Sequence, residues 1–244
     1  GGSHQHPQIA EFLTNLADVY RKKSEFAPAE ALYRRAMGIF EQLGNVESNI
    51  EAAEALNGLG LIAKKYSRYD DAAACYDRAL AICRNVFKDK LNYKMGIFGN
   101  NRAEIERKRG KYEQAIEMYS GALKIISSTL GPQHSEAADP LHGMGLCYHQ
   151  LGRFDEALKN ILSAIKIVER EFGPAHYKVG VFKSSSGLAR AMLNDFEGAY
   201  TDLKLSLHVL IQSLGEGHVE VADVLAALGD VCIKIFVESR GSQP

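Results

Sequence analysis

The stretch Gly152–His176, GRFDEALKNILSAIKIVEREFGPAH, contains the pattern from which the rest of the chain can be interpreted. It opens with a glycine turn, and the spacing of its apolar residues predicts a helix that carries Phe154 at its start and small residues at Ala157 and Ala164. Gly173-Pro174 is a typical signal for the end of a helix. The stretch therefore predicts one helix with an apolar face of small and bulky residues.

The same pattern occurs five times, at steps of 43, 43, 42 and 42 residues. The aromatic residue after the turn recurs as Phe26, Tyr69, Tyr112, Phe154 and Phe196. The bulky residue between the two small ones recurs as Tyr33, Tyr76, Tyr119, Ile161 and Leu203. A small residue upstream of the turn recurs as Ala17, Gly60, Ala103, Gly145, Gly187 and Gly229. This register predicts an array of helix hairpins in which short side chains let neighbouring helices approach closely.

The order of small residue, turn aromatic, Ala, bulky residue and Ala resembles the tetratricopeptide repeat. The long period, with LGPQH at Leu130–His134, FGPAH at Phe172–His176 and LGEGH at Leu214–His218, resembles the kinesin light chain type of that repeat. His6-Pro7 is similar to the His-Pro start of a repeat in this type. The resemblance covers nearly the whole chain and implies an all-α fold, a right-handed superhelical solenoid of about eleven helices.

We predict five full repeats at about residues 6–48, 49–91, 92–133, 134–175 and 176–217, followed by an unpaired helix at about 219–237, in one continuous stack. Residues 1–5 are interpreted as a lead-in, with Gly1-Gly2-Ser3 a candidate cloning remnant, and residues 238–244 as a frayed tail. In the fourth repeat, Asp139-Pro140 predicts a first helix that begins later than its counterparts or kinks there.

The composition is typical of a folded protein and gives no sign of a nucleic-acid or membrane role. The net charge is −1, with 24% charged and 46% hydrophobic residues, so no overall electrostatic field favours nucleic acid. No apolar run approaches the ~20 residues that span a bilayer, which predicts no membrane insertion. Four cysteines without CxxC spacing favour a reduced, cytoplasmic setting.

No residue pattern predicts a catalytic, metal or cofactor site. His134, His176 and His218 recur every 42 residues, but neighbouring repeats lie about a helix diameter, ~10 Å, apart, whereas zinc needs each nitrogen at ~2.1 Å. Turn stabilisation is the preferred interpretation of these histidines. No nucleophile can be paired with a base, and the glycine pairs lack a dinucleotide-loop context. We therefore predict a non-enzymatic protein without metal or cofactor.

The resemblance to kinesin light chains implies that the first helices of the repeats line a concave groove for a peptide, whose backbone is held by asparagines. An Asn amide offers donors and an acceptor, so it can pair with any peptide unit. Asn15, Asn57, Asn100 and Asn101 match this pattern, and His142 takes the equivalent position in the fourth repeat. A solvated helix asparagine is the alternative interpretation.

A pair of basic residues lies at the C-terminal end of the first helix in each of the first three repeats. Together these pairs predict a cationic stripe suited to an acidic peptide. The pairs are Arg21-Lys22, Lys64-Lys65 and Arg107-Lys108, and His149-Gln150 replaces them in the fourth repeat. A favourable contact with the helix dipole is an equally weighted alternative, and Asp18 and Glu104 are expected to neutralise part of the stripe. Farther along, Leu146 and Leu188 make the groove apolar and suit an apolar anchor, with ordinary packing between hairpins as the competing explanation.

The leading hypothesis is an adaptor that captures a peptide segment of a partner protein in its groove, with cargo recognition as in kinesin light chains as one version. The alternative is a structural assembly scaffold that associates through its ends or convex face. The unpaired last helix supports this alternative, because its uncovered face could accept another copy. An enzyme ranks third, because nothing in the sequence assembles a nucleophile, a base and an oxyanion donor.

Overall fold

The computed structural model of the chain describes residues 7–88 and 90–241, which form eleven α-helices, two short 3-10 helices and no strand. The α-helices are α1 (Pro7–Lys22), α2 (Phe26–Gln42), α3 (Ile50–Lys65), α4 (Tyr69–Phe87), α5 (Tyr93–Lys108), α6 (Tyr112–Leu130), α7 (Ala138–Gln150), α8 (Phe154–Phe172), α9 (Tyr177–Met192), α10 (Phe196–Leu214) and α11 (Val219–Gly241). The predicted all-α class is confirmed. The lead-in at residues 1–5 and His6 lie outside the described residues.

The helices form two compact units, one that extends to Leu130 and one that begins at Gly131. The first contains the hairpins α1–α2, α3–α4 and α5–α6, and the second contains α7–α8, α9–α10 and the single helix α11. Within each unit, the second helix of a hairpin also packs on the first helix of the next. The regular period of the sequence predicts one continuous stack and does not indicate a division at Gly131.

Each hairpin turn contains one residue in the left-handed conformation, at the same place in the repeat. These residues are Ser24, Ser67, Gly110, Gly152 and Asn194, with φ between 58° and 77°. The next N–H returns to a carbonyl of the first helix, as in the 2.9 Å bond from Lys111 to Glu106, so the helix ends in a Schellman-type motif. The turn aromatic lies two residues after the left-handed residue and opens the second helix. In the last hairpin the intervening residue, Asp195, also caps that helix through its side chain.

The predicted register of small and bulky residues is the packing register of the hairpins. A Cβ atom placed on Gly60 would lie 2.5 Å from Tyr76, one on Gly145 2.5 Å from Ile161, and one on Gly187 2.6 Å from Leu203. Tyr76, Ile161 and Leu203 are fully buried. The bulky residue of each second helix thus fills the space that the glycine leaves, and the two backbones come close.

The recurring histidines stabilise helix starts, as predicted. The Nδ1 atoms of His134, His176 and His218 each accept a hydrogen bond from the backbone N–H two residues later, at 3.2–3.3 Å. In the first unit, the side-chain oxygens of Asn49 and Asn92 make the same contact at 2.9 Å. A side-chain acceptor at this place satisfies one of the N–H groups that a helix start leaves unpaired.

Two helix ends differ from the simple repeat. Helix α7 begins at Ala138, after the 3-10 helix Ser135–Ala137, so its predicted late start is confirmed. Its N-cap residue is Ala137, however, and not Asp139. Asp139 instead pairs with Lys178 on α9 at 2.8 Å. Helix α11 continues to Gly241, so residues 238–241 are helical rather than a frayed tail, because no breaker occurs before that glycine. Residues 242–244 lie outside the described part of the chain.

Candidate peptide-binding surfaces

The C-terminal ends of α1, α3 and α5 border a cavity of about 400 Å³ in the first unit, which we call the basic cleft. Its lining consists of Arg21, Phe26, Leu61, Lys64, Lys65, Ser67, Tyr69, Glu104 and Lys108. Four of the predicted basic residues, contributed by three successive repeats, therefore line one cavity. The turn aromatics of the first two hairpins add apolar surface to it.

Two carboxylates neutralise part of the positive charge around the cleft. Glu104 accepts an ion pair from Lys64 at 3.1 Å and another from Arg107 at 3.5 Å. Burial opposes the ionisation of Glu104, but these neighbouring cations outweigh it and hold the pKa of the carboxyl group below its usual value. Asp18 pairs with Arg21 at 3.0 Å and accepts a 2.6 Å hydrogen bond from the Tyr33 hydroxyl.

The cleft retains a positive charge after these pairs are counted, because its four basic lining residues stand against Glu104 in the lining and Asp18 beside it. Over residues 7–88 and 90–241, Lys65 and Lys108 have no carboxylate within ion-pair distance in the structure. The ammonium group of Lys65 lies 5.9 Å from the centroid of the Phe26 ring, a favourable cation–π distance. Lys22 is exposed and does not line the cleft. Lys65 and Lys108 are therefore the cations best placed to meet a carboxylate from a ligand.

The predicted asparagines fall into three different environments. Asn101 donates a 2.8 Å hydrogen bond from its amide nitrogen to the amide oxygen of Asn57, which joins α5 to α3. Asn100 is half-buried, and its amide oxygen is buried without a hydrogen-bond partner among the described residues. Asn15 is exposed on α1. The Asn57–Asn101 pair uses one donor and one acceptor, so each amide keeps further capacity for a peptide backbone.

In the second unit, the predicted residues of α7 lie along one helix face, since His142, Leu146 and His149 are spaced by four and three. The Nε2 atom of His142 lies 2.9 Å from the Ser185 hydroxyl on α9, and its ring stacks on Phe182 at 4.1 Å between centroids. Leu146 is half-buried. These contacts join α7 to α9, the first helices of two successive repeats. The His142 side chain therefore already takes part in packing between the two repeats.

Among the predicted residues of the second unit, His149 is half-buried and Leu188 is exposed. The His149 ring packs edge-on against Phe154 at 5.4 Å, and burial lowers the pKa of this histidine. Leu188 on α9 is 43% exposed, and Met192, four residues farther on the same helix, is 54% exposed. Leu188 and Met192 form an apolar strip that suits an apolar anchor.

Sequence reasoning missed four residues that line the basic cleft: Phe26, Leu61, Ser67 and Tyr69. Phe26 and Tyr69 follow the basic pairs by four residues in the sequence, so a turn brings each aromatic back beside the end of the first helix. This spacing was the available signal. Leu61 carries no comparable signal, because its contact with the cleft depends on how α3 is rotated.

The regular hairpins, the left-handed turns and the small-on-bulky packing define an α-helical repeat protein. Three models of the tetratricopeptide repeat match the chain, over residues 9–43, 53–86 and 97–170. Together these matches cover more than half of the sequence. The chain belongs to the tetratricopeptide repeat family, and its repeats resemble those of kinesin light chains.

Solved structures support this assignment at the level of the fold. BtubC (BKLC) from P. vanneervenii is 18% identical with a TM-score of 0.66, over 93% of this chain and 83% of that protein. A putative kinesin light chain from P. anserina with nearly identical TPR-like repeats is 15% identical with a TM-score of 0.66, over 85% and 97%. The apo form of RapI is 18% identical with a TM-score of 0.66, over 84% and 71%. A comparison with curated proteins gives no significant match.

The described residues lack the features of two other kinds of site. No helix among them is both long and apolar enough to cross a membrane. In the same part of the chain, no three His, Cys, Asp or Glu side chains converge on a point where a metal ion could bind.

Proposed function

We propose that this protein is a non-enzymatic interaction module that binds an acidic peptide segment of a partner protein in its basic cleft. The observation that carries the proposal is the convergence of Arg21, Lys64, Lys65 and Lys108 on one cavity with aromatic walls. Stacked helical repeats typically serve as interaction scaffolds and seldom as enzymes. Cargo recognition of the kinesin light chain kind is one version of this function.

The binding mode follows from the contacts around the cleft. Carboxylates of the segment would pair with Lys65 and Lys108, where the nearby Phe26 and Leu61 side chains reduce the exposure of the ion pair to water. The remaining donor and acceptor of the Asn57–Asn101 pair would hold the peptide backbone.

The helix-dipole interpretation accounts for part of this arrangement. Lysines at the end of α3 and α5 do interact favourably with the helix dipole. That effect requires only a position in the last turn, and it does not require side chains from three helices to line one cavity. The dipole and ligand interpretations differ in what they predict for charge reversal, because only the ligand interpretation predicts a loss of binding.

The test compares the intact chain with the variant Lys65→Glu, Lys108→Glu against an array of fluorescent acidic peptides and their amide counterparts, in which Asn and Gln replace Asp and Glu. Lys64 is left unchanged, because it pairs with Glu104 and its loss would disturb the cleft itself. The matched control is Lys124→Glu, Lys159→Glu, which changes the same charge at exposed positions of α6 and α8.

We expect the acidic peptides to bind, the amide peptides to bind poorly, and the cleft variant to lose affinity about tenfold or more, ~1.4 kcal/mol. The dependence of affinity on salt should also be weaker in the cleft variant. Equal losses in the cleft variant and the control would show a nonspecific charge effect and remove the basic cleft as the site. No binding of any acidic peptide by the intact chain would reject this ligand class.

A further inference from the structure

The last helix, α11, keeps the register of a first helix, and no second helix among the described residues covers it. Gly60, Gly145 and Gly187 each receive a bulky side chain from the second helix of their own hairpin. Gly229 holds the same place in the repeat, and a Cβ atom added there would have no neighbour within 4 Å. The face of α11 that contains Gly229 is therefore uncovered in the described chain.

This uncovered face is strongly apolar. Leu225 is 52% exposed, Ile233 is 62% exposed and Phe236 is 54% exposed. Because each residue advances about 100° around the helix axis, six residues share this face. They are Ala222, Leu225, Ala226, Gly229, Ile233 and Phe236. The opposite side of α11 buries Val221, Val224 and Val231 in the core of the second unit. The uncovered face thus points away from the contacts that hold α11 in place.

We propose that a second copy of this chain covers this face, through antiparallel pairing of the two α11 helices about a twofold axis at Gly229. An antiparallel twofold places each residue before Gly229 opposite the residue equally far after it. Leu225 of one copy then faces Ile233 of the other, and the small Ala222 faces the large Phe236. The two glycines meet at the axis, where the absence of side chains allows close approach.

Charge on the edge of the face selects the antiparallel orientation. Asp223, Asp230 and Lys234 lie along the same edge of α11 by helical spacing. Antiparallel pairing brings Asp223 of each copy within one residue of Lys234 of the other, which makes two equivalent ion pairs. Lys234 also lies one turn after Asp230 on its own helix and offsets that charge near the axis. In a parallel twofold pair, this edge of one helix would face the opposite edge of the other, so Asp223 and Lys234 would lie on opposite sides of the interface and form no such ion pairs.

The oligomeric state of the full chain tests the proposal directly. Light scattering across a dilution series should show a dimer at high concentration and a monomer at low concentration. The double variant Leu225→Asp, Ile233→Asp should raise the dissociation constant at least tenfold, because it places carboxylates opposite one another across the axis. The matched control is Leu205→Asp on α10, a residue of similar exposure, 48%, outside the face.

A wild-type chain that stays monomeric over the whole series would overturn the proposal. A dimer that the double variant does not weaken would do the same, because the contact would then lie elsewhere. A helical spectrum unchanged from that of the wild type would show that the variants remain folded. The inference does not depend on the basic cleft, which lies in the other unit.

Cysteine cross-linking tests the orientation in a Cys232→Ser background, which removes the exposed native thiol. The double variant Leu225→Cys, Ile233→Cys should form a disulfide dimer, because the two positions face each other across the axis. Leu225→Cys alone should not, because the two copies of residue 225 would lie about 12 Å apart along the helix, beyond the ~7 Å limit for a disulfide. Efficient cross-linking of the single variant would indicate parallel helices and overturn the proposed geometry.

Discussion

A Cβ atom placed on Gly60 would lie 2.5 Å from Cε1 of Tyr76, so α3 and α4 pack at a distance that only glycine permits. The Tyr76 ring is fully buried. The pair shows why a small residue and a bulky residue recur together in the sequence.

Replacement of this glycine tests the packing. Gly60→Ala should lower the free energy of unfolding by about 1–3 kcal/mol, because the added methyl group overpacks the contact with Tyr76. Gly121→Ala is the control, since Gly121 lies in α6 with nothing near its Cβ position, and alanine there should raise stability by up to about 1 kcal/mol. Urea unfolding measures both. Equal effects of the two substitutions would contradict the packing argument.

Asp202 is a buried carboxylate that joins α9 to α10. It is 6% exposed and contacts Lys183 at 3.0 Å, Ser186 at 2.7 Å and Arg190 at 2.9 Å. Asp202→Asn should destabilise the fold by about 3 kcal/mol, because it keeps the shape but leaves two largely buried cations without their shared counter-charge.

The control for this prediction is Asp195→Asn, which removes a more exposed partner of Arg190. An asparagine can still accept the N-cap hydrogen bond from Gly198, so this change should cost less than about 1 kcal/mol. Both free energies come from urea unfolding. A loss for Asp202→Asn as small as that for Asp195→Asn would show that the buried network adds little stability.

His149 should make the protein sensitive to mild acid. Burial holds its pKa below the ordinary value of 6.5, so the unfolded chain binds a proton at a pH where the folded chain does not. The contribution to stability is complete above pH 6.5 and is lost as the pH falls through the folded pKa. Urea unfolding at pH 7.5 and pH 5.5 should therefore show a smaller decrease for His149→Gln than for the wild type.

An exposed histidine provides the comparison for that experiment. His208→Gln, on the exposed side of α10, is the substitution against which the His149→Gln result is compared. If His149→Gln and the wild type lose the same stability between pH 7.5 and pH 5.5, the acid sensitivity arises from other groups.

The four cysteines should react with a thiol reagent at very different rates in the native protein. Cys232 is exposed on α11 and should be modified first, whereas Cys83 and Cys147 are buried in their units. Burial also raises the pKa of Cys83 to about 11, so little of its thiolate is present at neutral pH. Mass spectrometry of dilute protein after brief labelling identifies the sites. Rapid modification of Cys83 without denaturant would contradict its placement.

The candidate site was partly predictable from the sequence. The positions of Arg21, Lys64, Lys65 and Lys108 follow from the repeat register, because each closes a first helix that the spacing defines. The ion pair of Lys64 with Glu104 joins residues 40 positions apart, and its formation depends on how α3 and α5 pack side by side. The hydrogen bond between Asn57 and Asn101 depends on the same packing. Spacing along one helix does not determine such contacts.

The sequence by itself determined the helices, the hairpins and their period. These features depend on local turns and on contacts within one hairpin, such as that of the small Gly60 with the bulky Tyr76, which lies only a short distance along the chain. It also predicted that α11 repeats the register of a first helix. Only the tertiary structure decided which charges are neutralised, which aromatics line the cleft, and that the chain divides into two units near Gly131. The reason is physical: these features depend on the distances and orientations between neighbouring hairpins, which side chains about 40 residues apart establish only when the repeats stack.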